Sequence, residues 1–165
     1  MKRKQMLRYT YLQSPIGPLL LAGETRLSRI SFPEGSKVFA PDPQWVRDDD
    51  AFKDVQQQLL EYFAGERREF TVELDVQGTS FQKRVLEALR GIPYGETRSY
   101  KQVAERIGTP LAVRAVGAAN GSNPIPLIIP CHRVIGSNGK LTGFGGGLPV
   151  KKYLLDLEQG RRLLL

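Results

Sequence analysis

The chain has 165 residues, 41% of them hydrophobic and 25% charged, which is enough apolar material for a packed core and too little charge bias for a disordered chain. No apolar run approaches the roughly 20 residues a membrane span needs, and the basic start Met1 to Lys4 leads into Gln5, Arg8 and Tyr9 rather than an apolar signal core; a soluble, cytoplasmic protein is expected. A single cysteine excludes an internal disulfide, and a single histidine beside it argues against a Cys/His zinc site unless a partner chain supplies ligands.

The net charge of +7 is unevenly spread. Residues 1–77 carry 11 Lys/Arg against 12 Asp/Glu, whereas residues 78–165 carry 13 against 5. A basic half joined to a neutral half suits a polyanion partner, since phosphate neutralisation supplies most non-specific affinity; a solvated basic surface would give the same count.

In chain order, Arg8 to Leu12, Leu19 to Ala22 and Leu27 to Phe32 read as short strands, with Ser14-Pro15-Ile16-Gly17-Pro18 as the turn of a hairpin or meander. Residues 33–43 form an irregular loop. Ala51, Phe52, Val55, Leu59, Tyr62 and Phe63 then recur at helical spacing until Gly65. Phe70, Val72, Leu74 and Val76 alternate with Thr71, Glu73 and Asp75, which predicts a half-buried strand. A domain boundary is placed after it, giving 1–77 and 78–165.

Thr79 or Ser80 can cap a helix with Phe81, Val85, Leu86 and Leu89 on one face, ended by Gly91-Ile92-Pro93. Ser99 can cap a second, with Val103, Ala104 and Ile107 inward until Gly108-Thr109-Pro110, and a third runs from about Leu111 to Ala119. Two short helices around a tight glycine-containing turn form the pattern of a helix-turn-helix, whose second member enters a DNA groove; plain helix packing gives the same pattern.

Prolines hold Pro124 to Pro130 in an extended apolar segment that delivers Cys131-His132-Arg133-Val134. A thiol with an ordinary pKa of about 8.5 is only a few per cent ionised at neutral pH, so a nucleophilic Cys131 needs a base or a positive field nearby. His132 and Arg133 are suitable neighbours. In extended backbone, adjacent side chains point to opposite faces, so His132 reaches the sulfur only through a water or a turn. The alternative is a small buried hydrophobe.

The segment Ile129-Pro130-Cys131-His132-Arg133-Val134-Ile135-Gly136 resembles the active-site motif of the O6-alkylguanine-DNA alkyltransferases, the methylated-DNA–protein-cysteine methyltransferases, in their bacterial form. Thr97-Arg98-Ser99-Tyr100, Arg114-Ala115-Val116-Gly117, Asn123-Pro124, Thr142-Gly143-Phe144-Gly145-Gly146-Gly147 and Leu157-Glu158 match further family segments in order and spacing. The resemblance is strong over residues 79–159 and weaker in the N-terminal half, at Ser14-Pro15-Ile16-Gly17-Pro18 and Tyr62-Phe63-Ala64-Gly65.

This resemblance implies an α/β, ribonuclease-H-like N-terminal support domain and a mostly helical, winged-helix-like C-terminal domain that binds DNA and accepts the alkyl group. It implies single-turnover repair, in which Cys131 takes the alkyl group from O6-alkylguanine in double-stranded DNA and keeps it; whether O4-alkylthymine also reacts stays open. His132, oriented by Glu158, would take the thiol proton through water, and Asn123 would hydrogen-bond nearby. Tyr100 would crowd the phosphate and donate toward the leaving guanine. Arg114 would fill the gap left by a nucleotide flipped from the stack, reached from the minor groove. Ser99, Ala115 and Gly117 would line the DNA. Phe144 and Gly145, where some relatives carry Tyr and Ser, would close over the base, and the carbonyls of Cys131 and Val134 would accept from its exocyclic amine. No metal or other cofactor is implied, and the protein is expected to act as a monomer, with cooperativity along DNA left open. A lesion binder without chemistry, a Cys-His hydrolase and a helix-turn-helix regulator are the competing readings; the first of these would lack Cys131.

Overall fold

The computed structural model describes residues 6–36, 38–161 and 163. The N-terminal half opens with three antiparallel strands, β1 (Arg8–Ser14), β2 (Gly17–Gly23) and β3 (Leu27–Ser31). The β1–β2 turn is tight because Gly17 adopts φ +99°, and Ser14 Oγ donates to the Gly17 carbonyl at 2.6 Å. A two-residue strand, β4 (Val46–Arg47), which the sequence does not announce, adds parallel to β1, so the sheet order is β3-β2-β1-β4. Helix α1 (Lys53–Phe63) lays Val55, Leu59, Tyr62 and Phe63 against this sheet.

The predicted strand at 70–76 is corrected. Its alternation is present in the burial, with Val72 buried and Thr71 and Glu73 exposed, yet only Leu74 makes a bridge, to Leu27, and Asp75 N–H donates to the Leu27 carbonyl at 2.8 Å. The segment is held by side-chain burial beside the β2–β3 corner and builds no ladder.

Helices α2 (Ser80–Arg90) and α3 (Tyr100–Arg106) each begin with a reciprocal capping box, Thr79 with Gln82 and Ser99 with Gln102. Helix α4 (Val113–Gly121) follows, two residues later than expected. A parallel pair, β5 (Arg98–Ser99) with β6 (Val134–Ile135), brings the start of α3 beside the Cys131 segment. Helix α5 (Leu148–Glu158), marked in the sequence only by its last residues, closes the molecule.

The segment before the cysteine is not uniformly extended. Leu127, almost fully buried, adopts φ +75°, and Cys131–Arg133 form one turn of 3-10 helix. The turn, rather than extended backbone, therefore sets where Cys131 and His132 point. Buried residues from both halves form one continuous core, from Leu12, Leu21 and Leu59 through Val85 and Leu89 to Ile129 and Leu154.

Candidate active site

Cys131 lines a cavity of about 230 Å³ between the halves. Arg29, Phe32 and Phe39 line it from the N-terminal side, and Asn123, Pro126, Phe144 and Gly145 from the C-terminal side. The thiol is buried, and that burial pushes its pKa up to about 11; a hydrogen bond from Asn123, the Lys151 charge and the backbone amides of Cys131 and His132 pull the other way. At neutral pH the resting sulfur is therefore protonated, so reaction requires a base at the moment of attack.

His132 is fully buried, and its Nε2 lies 2.6 Å from Glu158 Oε2. Glu158 is the hub of the site. It also accepts from Tyr62 Oη (2.6 Å), Arg133 Nε (2.7 Å), Arg133 Nη2 (3.1 Å) and the Gly95 N–H (3.1 Å). These donors hold its carboxyl well below the usual range although burial alone would raise it. An ionised carboxylate only accepts, so Nε2 must carry the ring proton, and His132 Nδ1, which has no hydrogen-bond partner among the described residues, is left as the basic nitrogen. Burial is the largest influence and lowers the His132 pKa; the Glu158 hydrogen bond and charge pull it up, and the Arg133 and Lys151 charges add to the lowering. The imidazole is neutral and so able to take a proton.

Asn123 hinges the segment, with Nδ2 donating to the Ile129 carbonyl at 2.8 Å and Oδ1 accepting the Ile125 N–H at 3.0 Å. The Val134 carbonyl accepts Lys151 Nζ at 2.6 Å, which leaves one lone pair for another donor. The Cys131 carbonyl already receives the Val134 N–H, with Asn120 Nδ2 at 3.5 Å. Phe144 packs on Phe32 with ring centroids 5.2 Å apart, and a Cβ on Gly146 would come within 2.8 Å of the Phe32 ring, so glycine there lets the 143–147 loop dock on the N-terminal half.

Tyr100, Arg114, Ala115 and Gly117 lie together on α3 and α4. Arg114 and Ala115 are exposed, Gly117 faces the Tyr100 ring, and Tyr100 Oη accepts from Thr142 Oγ1 at 3.0 Å, keeping its own proton for donation. Ser99 is half-buried and is engaged in capping α3.

Three residues hold parts of this site that the sequence does not assign to them. Arg133, which the sequence offers only as a positive neighbour of Cys131, instead binds Glu158. Lys151, with no accessible surface, straps Val134 to the Thr142 carbonyl (2.9 Å), and burial brings its pKa down to about 8. Its neighbour Lys152 is solvent-exposed and pairs with Asp156, and only helical phase on an unannounced helix separates the two. Tyr62 reads as a core aromatic.

Two family models cover nearly the whole chain: the 6-O-methylguanine DNA methyltransferase ribonuclease-like domain over residues 7–76 and the DNA binding domain of the same family over residues 80–160. The chain belongs to the 6-O-methylguanine DNA methyltransferase family. It is 54% identical over 158 residues to a methylated-DNA–protein-cysteine methyltransferase of Mycobacterium tuberculosis, covering 94% of each chain. It is 52% identical over 151 residues to the protein of that name from Methanosarcina acetivorans, covering 91% of this chain and 97% of that one. A crystal structure of Mycobacterium tuberculosis OGT in complex with DNA matches with a TM-score of 0.87 at 54% identity, covering 93% of this chain and 94% of that one. The family's fold is thus the expected one, a ribonuclease-like N-terminal part followed by a DNA-binding part that carries Cys131.

Proposed function

We propose that this protein repairs DNA directly, transferring the alkyl group of O6-alkylguanine irreversibly to Cys131. The observation that carries the reading is the buried cysteine next to a neutral histidine whose Nε2–H is fixed by Glu158, lining a cavity that adjoins the end of α4.

In this reading, His132 Nδ1 takes the Cys131 proton through a water molecule. The thiolate attacks the alkyl carbon, the carbon–O6 bond breaks with its electron pair on oxygen, and the proton is returned as guanine leaves. Tyr100 donates toward the departing base. The product is a thioether with no easy hydrolytic route, so the protein is consumed. A base in the duplex cannot reach a buried sulfur, and Arg114, exposed on α4, takes the place of the flipped nucleotide. The exposed Ala115 face permits close backbone approach, while Ser99 sets the start of α3 and Phe144, Gly145 and the free lone pair of Val134 face the base. Residues 78–165 then bind DNA and react, and residues 1–77 complete the cavity.

Mass spectrometry after mixing with duplex carrying one O6-methylguanine tests this. One methylene equivalent on the Cys131 peptide, absent with undamaged duplex and in Cys131→Ser, is expected. Lesion binding without mass gain would instead identify a binder without chemistry.

A further inference from the structure

The hydroxyl of Tyr62 crosses from the N-terminal half to Glu158, 96 positions away in the chain. Its oxygen is 2.6 Å from Oε2, the same carboxylate oxygen that accepts His132 Nε2–H. Tyr62 has no accessible surface, and its ring is fixed edge-on by Phe63 and Tyr94 and tilted against Phe70. Ring packing alone would be served by phenylalanine. A buried hydroxyl aimed at a charged acceptor instead adjusts how strongly that acceptor holds its other partners.

We propose that Tyr62 is a positioning residue for alkyl transfer, by which the N-terminal half sets the basicity of His132 through Glu158. The inference rests on the His132 base reading above. The phenol remains protonated because burial and the Glu158 charge both oppose its ionisation, so it is a standing donor. By sharing Oε2, it draws off carboxylate charge that would otherwise stabilise imidazolium, and so keeps His132 neutral and ready to accept the thiol proton. The other groups facing this cluster are Arg133 from the 3-10 turn, bonded to Glu158 and to the Ile92 carbonyl, Tyr94 from the loop after α2, and Lys151 from α5, on the Cys131 side. Arg133 supplies charge neutralisation, whereas Tyr62 supplies the donor that a single atom can remove.

The sign follows. In Tyr62→Phe, Oε2 loses a donor and holds more charge, imidazolium is favoured, and the pH at which His132 protonates rises. The acid limb of the single-turnover rate on O6-methylguanine duplex should therefore move to higher pH by on the order of one unit, with the reaction slowed by up to about 10-fold at pH values below the wild-type midpoint and little changed near pH 8. DNA affinity should stay as in the wild type.

Because the chain has one histidine, imidazole NMR titration of wild type and Tyr62→Phe reads the same shift without any reaction. Trifluorotyrosine placed site-specifically at 62, a stronger donor of nearly the same shape, should move both the acid limb of the rate and the imidazole titration to lower pH and keeps the test available should the phenylalanine variant fold poorly. Coincident pH profiles and titrations in all three proteins would overturn the role of Tyr62. If wild-type protein gains no alkyl mass at any pH, the alkyl-transfer reading itself falls, and this inference falls with it.

Discussion

A neutral histidine enclosed beside an ionised glutamate has a consequence for stability as well as for chemistry. In the unfolded chain His132 titrates near 6.5 and Glu158 near 4.3, while both are held lower in the fold. As pH falls, the unfolded state takes up protons first, so each group contributes stability above its unfolded value that is lost on acidification. For His132 the loss begins near pH 6.5, and for Glu158 below about pH 4.5. Urea unfolding should show the stability of the wild type declining from pH 6.5 to 5 with a slope approaching about 1.4 kcal/mol per pH unit. His132→Gln should remove that slope and leave the lower phase. A flat wild-type curve through this window would mean that imidazolium persists in the fold.

At the scale of elements, α4 carries the most separable test. Arg114 projects from an exposed face and is not among the hydrogen-bond partners of Glu158, so Arg114→Ala should slow reaction with duplex O6-methylguanine by roughly 10-fold or more through a lost groove contact. It should react with free O6-benzylguanine at nearly the wild-type rate, and equal losses on both substrates would reject the gap-filling role. The elements also show how far sequence reading reaches. Helices α2 and α3 are legible because a periodic apolar face, a polar cap and a terminating glycine agree locally, and α1, whose N-cap position is Phe52 with no side-chain cap, is legible from its periodic apolar face and Gly65 alone. The ladder at 70–76 was misread because alternation reports burial of one face, and strand pairing depends on a neighbour that sequence does not name. Lys151 stayed hidden because its partners are backbone carbonyls, which leave no mark on residue identity. Glu158 was legible only by resemblance, since a glutamate at a helix C-terminus is normally solvated and disfavoured by the dipole; here Arg133 and three further donors make the position tenable.

At the scale of the molecule, the charge asymmetry and the two family models suggest two units, but the packing joins them. One hydrophobic core runs through both halves, Ile30 N–H donates to the Pro124 carbonyl at 2.9 Å, and the Tyr62–Glu158 hydrogen bond crosses the same junction. The acceptor cavity is itself lined from both sides, so a loosened N-terminal half would disturb the site as well as the core. Nature supplies one probe in each half: Trp45, the single tryptophan, packed against Tyr9, and Cys131, the single cysteine. On urea titration, the Trp45 fluorescence change and the exposure of Cys131 to a thiol reagent should share one midpoint, as expected for a single cooperative unit. Leu59→Ala, which empties a fully buried position on α1, should cost about 2–5 kcal/mol and move both midpoints down together. A Trp45 transition that precedes Cys131 exposure, or a Leu59→Ala shift confined to the tryptophan signal, would show that the halves unfold separately and that the N-terminal half exerts its effect on the site only through local contacts.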